Sequence, residues 1–238
     1  MKALILGAGP AQIDPDATPL WLVENDGQLL IERFSNACQA IGAQMAFAVR
    51  AAEIKRWRID NVIHLAAPGA AVVPITGETA GAACTALLCI QHIDPDAELL
   101  ILNNNEYLDI DHAEPITRFR QGGFDAGVIT FPSIHPRYSY VRLDDEGLIT
   151  EAAEKNPISR HAIPGFLWFR HGSDFIEAAQ NMIRKDANLD GRYFISLTLN
   201  EMVLRQKRMT TFPIEAKRYH PLKSGRQLQS FEREHLNE

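Results

Sequence analysis

The chain has 238 residues, of which 46% are hydrophobic and 23% are charged, as in an ordinary globular protein. Its formal net charge of -6 disfavours a broad polyanion-binding surface, and with it nucleic acid as a partner. The sequence has no run of about 18 apolar residues and no signal-peptide pattern. We therefore expect a cytoplasmic protein without membrane insertion.

In the first half of the chain, apolar runs alternate with helical patterns. Strands are predicted at 3–6, 45–49, Ala71–Ile75 and 98–102, and helices at 29–40 and 80–90. Such alternation is typical of parallel strands with helices on both faces of the sheet. Cys84 and Cys89 lie in the Ala/Leu-rich helix at 80–90, without zinc-site spacing, and are predicted to be buried small hydrophobes.

In the second half, strand-like runs dominate before two helices and a last strand. The predicted strands are 127–131, Ser139–Leu143, 148–154, 165–169 and 209–214, and the helices are 173–183 and about 197–205. Asp144-Asp145-Glu146-Gly147 predicts a hairpin turn, Ser173 a helix N-cap, and the polar tail from Ser224 a surface helix. Together these elements predict one mixed α/β domain.

The stretch after the first strand resembles a phosphate-binding loop that lacks a cation. Gly7-Ala8-Gly9 follows directly after the apolar run, and its backbone N–H groups can bind a nucleotide at the carboxyl edge of a sheet. The dinucleotide fingerprint is incomplete, because position 12 is Gln and Pro10 removes a donor. Asp14 and Asp16 follow, with no Lys or Arg before Arg33. The alternative is a tight turn.

The segment TGETAGAACTALL, residues 76–88, is a second candidate for nucleotide contact. Its Gly-Ala run, which includes Gly81 and Ala82, lets the backbone approach a flat ring closely. Glu78 or Thr79 can contact base or ribose edges. Close packing of a helix on the sheet explains the same small residues, and both interpretations stay open.

The segment ELLILNNNEYLD places polar side chains after a buried strand. Asn103, Asn104 and Asn105 would stand at the carboxyl edge, where open α/β sheets bind ligands. Candidate Mg²⁺ ligands there are Glu106, Asp109 and Asp111. The alternative is a polar turn held by Asn side chains.

The segment EAAEKNPIS follows a predicted strand. It can present Lys155 to a phosphate and Glu154 to sugar hydroxyls, or form a surface ion pair of little energetic value. No histidine is spaced as a metal site requires, and Trp21 in PLWLV is predicted to serve packing.

Taken together and in order, these segments resemble the sugar-phosphate nucleotidyltransferases (sugar-nucleotide pyrophosphorylases), particularly those found with capsule and surface-polysaccharide genes. ENDGQLLIERF resembles their NGKPLIE turn and helix, and ETAGAACTALL their Gly/Ala nucleotide-binding segment. ELLILNNNEYLD resembles LLVINGD, EAAEKNPIS resembles EKP, and GFLWFRHGSDFIEAA resembles GIYYF. The resemblance runs from Met1 to about Phe231.

The resemblance implies a nucleotide-diphospho-sugar transferase fold: a mixed, mostly parallel, Rossmann-like central sheet flanked by helices. It divides residues 1–238 into a nucleotide-binding half, 1–125, and a sugar-phosphate-binding half, 126–238. The implied ligands are a nucleotide with a sugar phosphate, or a nucleotide-sugar, with Mg²⁺. The sequence leaves the oligomeric state open, and a homo-oligomer is one option. The implied site residues are Lys155 and Lys223 for catalysis, Gly7, Ala8, Gly9, Glu78, Thr79, Gly81, Ala82, Asn104 and Asn105 for the nucleotide, and Glu154, Gly127 and Asn105 for the sugar.

This chain departs from the family at its charged positions. Pro10 to Asp16 lacks the family's loop Arg, and Leu20 and Trp21 stand where its Lys segment would be. Asn105 replaces the usual metal-binding Asp, and Lys223 lies near the expected metal position. Lys223 can act as a point charge in place of Mg²⁺, or Glu106 can take over metal binding.

Three functions follow. The first is a nucleotidyltransferase that joins a sugar 1-phosphate to a nucleoside triphosphate for surface-polysaccharide synthesis. The second is a non-catalytic homologue that binds a nucleotide or nucleotide-sugar. The third is a glycosyltransferase that uses Asp109-Ile110-Asp111 as a metal-binding Asp-x-Asp motif.

Overall fold

The computed structural model describes residues 1–9, 18–224, 227–228 and 231. Its strands are β1 (Lys2–Leu6), β2 (Glu24–Asn25), β3 (Gln28–Leu29), β4 (Gln44–Arg50), β5 (Ala71–Ile75), β6 (Leu99–Asn103), β7 (Glu106–Leu108), β8 (Ala126–Pro132), β9 (Ser139–Leu143), β10 (Ile149–Glu154), β11 (His161–Ile163), β12 (Phe166–Phe169), β13 (Met209–Pro213) and β14 (Tyr219–Pro221). Its helices are α1 (Leu30–Ala40), α2 (Ala51–Trp57), α3 (Ile59–Ala66), α4 (Ala82–Leu88), α5 (Ala113–Gln121), α6 (Gly172–Arg184) and α7 (Thr198–Leu204).

A single large sheet runs through the described residues in the order β10-β9-β11-β8-β12-β6-β1-β4-β5, with β13 also paired to β8. The strands β6, β1, β4 and β5 are parallel. Next to them, β12 runs antiparallel to both β6 and β8, and the hairpin β9–β10 closes the other edge. The predicted mixed sheet is confirmed, and so is the hairpin turn at Asp144–Gly147.

Helices cover both faces of this sheet, because side chains on a strand alternate between its faces. On β1, Ala3 and Ile5 belong to one apolar cluster, together with buried residues of α1, α3 and α5. Leu4 and Leu6 belong to the other cluster, together with buried residues of α4, α6 and α7. The chain therefore forms three layers, with the sheet in the middle.

The described residues also form two small, two-stranded sheets. β2 and β3 form a hairpin, and Glu32 then accepts the Leu29 N–H at 2.7 Å, which satisfies a free donor where α1 begins. β14 pairs antiparallel with β7, with Pro221 opposite Glu106. This pairing fixes the C-terminal segment beside the end of β6.

Some sequence predictions need correction. The helix expected at 80–90 begins only at Ala82, because Gly81 has φ +113°, and it ends at Leu88 before a 3-10 turn, Ile90–His92. Ser173 is not an N-cap, because α6 already begins at Gly172. Cys89 is buried as expected, but Cys84 is only half-buried.

The structure contains three helices that the sequence pattern does not predict, α2, α3 and α5. Most of the tail expected to be helical from Ser224 lies outside the described residues, as do Pro10, Asp14 and Asp16. Within the described part of the chain, each helix is too short or too polar to span a membrane.

Candidate functional site

A cavity opens at the carboxyl ends of β1 and β6, where open α/β sheets bind ligands. Both halves of the chain contribute to its wall. The predicted site residues that line it are Ala8, Gly9, Glu78, Thr79, Gly81, Ala82, Asn104, Asn105, Glu106, Glu154 and Lys223. The structure thus brings together residues up to 215 positions apart in the sequence, from Ala8 to Lys223.

At the end of β1, Gly7 serves packing and does not line the cavity. A Cβ atom on Gly7 would lie 1.8 Å from Trp21 Cζ2 and 2.7 Å from Asn104 Nδ2. Trp21 is fully buried, as its packing interpretation predicted, and it meets Phe47 edge to face with centroids 5.8 Å apart. The tight packing under Gly7 fixes the position from which Ala8 and Gly9 reach the cavity.

The Gly81 segment is held against the loop that precedes the 3-10 turn Ile195–Leu197. The Tyr193 N–H donates to Ala80 O at 2.7 Å, and the Ala83 N–H donates to Tyr193 O at 3.0 Å. A Cβ atom on Gly81 would lie 2.5 Å from Tyr193 O, so this position requires glycine. The contact ties the predicted nucleotide-binding segment to the second half of the chain.

The asparagines after β6 connect three segments at the cavity. The Asn104 N–H donates to Leu6 O at 3.0 Å, and Asn105 O accepts the Leu222 N–H at 2.8 Å. Asn105 Oδ1 is buried and has no hydrogen-bond partner among the described residues. Asn105 Oδ1 is therefore a buried acceptor that its surroundings leave unsatisfied.

Glu106 is 5% exposed, and its carboxylate is already surrounded by donors. Glu106 Oε2 accepts the Tyr219 hydroxyl at 2.9 Å, and Oε1 accepts Asn103 Nδ2 at 3.3 Å. Lys223 Nζ lies 3.6 Å from Oε2. Burial and the nearby Glu106 charge both raise the pKa of Tyr219, so its hydroxyl stays protonated and donates.

This arrangement does not fit the Mg²⁺ site expected from Glu106, Asp109 and Asp111. Asp109 and Asp111 are exposed and lie outside the cavity wall, and Asp111 Oδ1 instead accepts the Ala113 N–H at 2.9 Å. In the described part of the chain, no three His, Cys, Asp or Glu side chains gather as metal ligands do. An ammonium group, moreover, already lies beside Glu106.

Glu154 lies at the end of β10 and also lines the cavity. Its Oε2 accepts hydrogen bonds from the hydroxyls of Ser139 and, at 2.9 Å, Ser196. Burial raises the pKa of Glu154, while the two serines and the charges of Lys223 and Lys155 oppose that rise. Glu154 is thus a carboxylate that neutral hydroxyls orient toward the cavity.

Two predicted residues lie elsewhere. Lys155 is exposed and does not line the cavity: its ammonium stands 5.5 Å from the ring centroid of Phe194, which does line it. Lys155 therefore lies at the exposed rim of the cavity. Gly127 lies inside β8, where a Cβ atom would meet the Phe119 ring at 2.5 Å, so it packs against a helix rather than a sugar.

Two cations in the wall were missed by sequence reasoning. Arg137 lies in the loop before β9, with its guanidinium 4.9 Å from the Tyr138 ring centroid, and Arg192 follows the left-handed Asp190-Gly191 turn. The Asp-Gly pair signals a turn, but neither arginine belongs to a pattern that would place it at this cavity.

Comparisons with known proteins identify the architecture. No protein-family model and no curated protein matches the chain. Among solved structures, a nucleoside-diphosphate-sugar pyrophosphorylase from Vibrio cholerae RC9 matches with a TM-score of 0.80 and 18% identity, over 97% of this chain and 99% of that one. The chain has the fold of the sugar-nucleotide pyrophosphorylases.

Two further structures agree with this pyrophosphorylase fold. A UDP-glucose pyrophosphorylase complexed with UDP-glucose has a TM-score of 0.77 and 13% identity, over 99% of this chain and 98% of that one. A protein assigned as a glucose-1-phosphate thymidylyltransferase from Bacillus anthracis, in complex with a sucrose, has a TM-score of 0.75 and 15% identity, over 100% and 96%. The fold implied by the sequence resemblance is thereby confirmed.

Within the pyrophosphorylase fold, the cavity of this chain offers two chemically different groups of residues. The phosphate end, near β1, β6 and Lys223, offers backbone groups, asparagine amides and an ammonium. Glu154 with its two serines forms the sugar end, and the charge of Lys223 is near enough to oppose the rise in the pKa of Glu154. Apolar residues such as Ile163 and Leu167 also line the wall. The first group suits phosphates and the second suits a hydroxyl-bearing ring.

Proposed function

We propose that the protein joins a sugar 1-phosphate to a nucleoside triphosphate and releases pyrophosphate. The observation that carries this proposal is the single cavity in which the Gly9 and Gly81 segments, Lys223 and Glu154 meet. The pyrophosphorylase fold of the chain supports it, because the neighbouring structures are described as enzymes of sugar nucleotides.

In this reaction, an oxygen of the sugar 1-phosphate attacks the α-phosphorus of the triphosphate. The bond from the α-phosphorus to the oxygen bridging to the β-phosphorus breaks, and pyrophosphate leaves with that oxygen and its electron pair. Negative charge shifts onto the leaving group, where Lys223 and Arg192 can offset it. Catalysis then consists mainly of holding the two phosphates in line.

Glu154 positions the other substrate. With Ser139 and Ser196 donating to one carboxylate oxygen, the second oxygen remains to accept a sugar hydroxyl. This contact orients the sugar phosphate toward the α-phosphorus. We expect Mg²⁺ to accompany the triphosphate as its counter-ion, because the acidic residues that the structure describes around the cavity do not form a site for it.

The resemblance to capsule-associated family members supports a biological role as well. On that ground, we infer that the nucleotide-sugar product serves surface-polysaccharide synthesis. A comparison of the products formed from different sugar 1-phosphates tests this inference.

Asn105 favours a second candidate, a homologue that binds a nucleotide-sugar without turning it over. Where the family carries a metal-binding carboxylate, this chain has a neutral amide with an unpaired oxygen. The Asp-x-Asp motif no longer supports the glycosyltransferase alternative, because Asp109 and Asp111 do not line the cavity.

The deciding experiment mixes the purified chain with a panel of nucleoside triphosphates and sugar 1-phosphates, with and without Mg²⁺, and measures pyrophosphate release. The proposal predicts release with at least one pair, together with a nucleotide-sugar. Stabilisation of the protein by a nucleotide-sugar in a thermal-shift assay, with no pyrophosphate from any pair, would favour the binding homologue instead.

A further inference from the structure

A buried carboxylate and an exposed ammonium meet at the phosphate end of the cavity. Glu106 is 5% exposed, whereas Lys223 is 41% exposed, and the two charged groups are 3.6 Å apart. A carboxylate that is buried this deeply needs hydrogen bonds as well as a counter-charge. The Tyr219 hydroxyl and Asn103 Nδ2 supply the hydrogen bonds.

The groups that hold Glu106 are themselves fixed. The Tyr219 ring stacks on Phe131 with centroids 4.3 Å apart and meets Tyr138 edge to face at 5.7 Å. Tyr219 also belongs to β14, whose pairing with β7 places Pro221 opposite Glu106. Lys223 follows β14 by two residues, so the same pairing fixes the backbone from which its side chain starts.

We propose that Glu106 and Tyr219 are positioning residues that hold the Lys223 ammonium at the phosphate end of the cavity. This inference rests on the proposed function and adds to it how the cation is held. A free lysine side chain occupies many rotamers, and the Glu106 carboxylate restricts Lys223 to those that keep its charge inside the wall. A charge fixed before the substrate arrives stabilises a transition state without reorganisation.

The same contacts account for two features of the cavity. They explain why Glu106 is not free to ligate a metal ion, and why a basic residue stands beside it. They also predict that Glu106 and Tyr219 act on the reaction only through Lys223. A double-mutant cycle isolates such a dependence, because a positioning residue has no effect once its target is removed.

The test measures steady-state pyrophosphate release for Glu106→Gln and Tyr219→Phe, each in the wild-type chain and in Lys223→Ala. In the wild-type chain, we expect Glu106→Gln to lower kcat about 10- to 100-fold, by analogy with residues that orient a metal ligand. We expect Tyr219→Phe to lower kcat about fivefold. In the Lys223→Ala background, each should change kcat less than about twofold.

The chain offers matched controls for both substitutions. Glu201 is 7% exposed and pairs with the 53% exposed Lys185 at 2.7 Å, and neither residue lines the cavity. Glu201→Gln therefore removes a similar buried carboxylate without touching Lys223. Tyr140 is fully buried and donates its hydroxyl to His135 O at 2.7 Å, so Tyr140→Phe controls for Tyr219→Phe. Both controls should keep kcat within about twofold of wild type.

Each outcome decides the inference. Equal losses of kcat in the two backgrounds, or losses matched by the controls, would overturn it. If Glu106→Gln fails to fold, the Tyr219→Phe cycle gives the same answer. If the wild-type chain releases no pyrophosphate, the proposed function fails. The double-mutant cycle is then measured by calorimetry, with the Kd of inorganic pyrophosphate in place of kcat. Additive changes in this Kd would overturn the positioning role, and non-additive changes would support it.

Discussion

Glu106 and Glu154 are carboxylates of one cavity, but their direct partners differ. Glu106 lies beside an ammonium and accepts a tyrosine hydroxyl and an amide. Among the described residues, Glu154 accepts hydrogen bonds from the hydroxyls of Ser139 and Ser196, and burial raises its pKa. The first carboxylate is committed to holding a cation, and the second keeps an oxygen for a ligand. In the proposed function, the first carboxylate therefore serves the phosphates and the second serves the sugar.

Reversal of the charge at Lys223 should have the largest effect on catalysis of all the substitutions considered. We expect Lys223→Asp to lower kcat for pyrophosphate release about 1000-fold, because a carboxylate beside Glu106 repels the phosphates that the ammonium attracts. Lys217→Asp is the control, since Lys217 is 75% exposed and pairs with Glu215 on the surface. A Lys223→Asp variant that keeps the wild-type rate would show that Lys223 takes no part in the proposed reaction.

Gly7→Ala should reveal how tightly the phosphate end is packed. The added methyl would overlap Trp21, so we expect the free energy of unfolding to fall by about 3 kcal/mol and Tm by roughly 6–12 °C. The control is Gly9→Ala, because a Cβ atom on Gly9 meets nothing within 4 Å. Equal melting temperatures for the two variants would contradict the packing described for Trp21.

Glu154→Gln should affect the sugar end alone. We expect the KM for the sugar 1-phosphate to rise about tenfold, because a neutral amide is a weaker acceptor than a carboxylate. The KM for the triphosphate should stay nearly constant. Glu151→Gln on the same strand is the control, since Glu151 pairs with Arg142 outside the cavity wall.

The pH dependence sharpens this prediction. Because burial raises the pKa of Glu154, its carboxylate takes up a proton at a higher pH than an ordinary glutamate, whose pKa is about 4.3. As pH falls through the raised pKa, the acceptor is lost and the KM for the sugar 1-phosphate should rise. The Glu154→Gln variant should lack that rise, and an identical pH profile in both proteins would contradict the assignment.

The smallest effect is expected at Lys155. Its ammonium stands over the Phe194 ring at the exposed rim, so Lys155→Ala should change kcat/KM only about two- to fivefold. A loss of about 100-fold or more would instead show that Lys155 swings into the cavity during turnover, and the contrast with Lys223 would disappear.

The sequence predicted the sheet better than the helices at its surface. β1, β5 and β6 are short apolar runs bounded by polar residues, which is the pattern of buried parallel strands. α2 has no buried residue, so it lacks the apolar face by which helices are recognised, and α5 carries Pro115 in its first turn, where proline is tolerated but is easily taken for a break.

Site residues that directly follow a strand could be predicted from the sequence, whereas those placed by contacts between distant segments could not. Asn105 and Glu106 follow a buried strand, and this order in the sequence is enough to place them at the carboxyl edge. The contact between Glu106 and Lys223 depends on the pairing of β7 with β14, which no local pattern encodes. Arg192 reaches the wall because Tyr193 is bonded to the Gly81 segment, again a tertiary contact.

The most direct test of the account is a crystal structure with the nucleoside-diphosphate sugar that binds most tightly. The account predicts the two phosphates within ion-pair distance of Lys223 Nζ and a sugar hydroxyl donating to the Glu154 carboxylate. A ligand bound in the reverse orientation, or phosphates held away from Lys223, would contradict it.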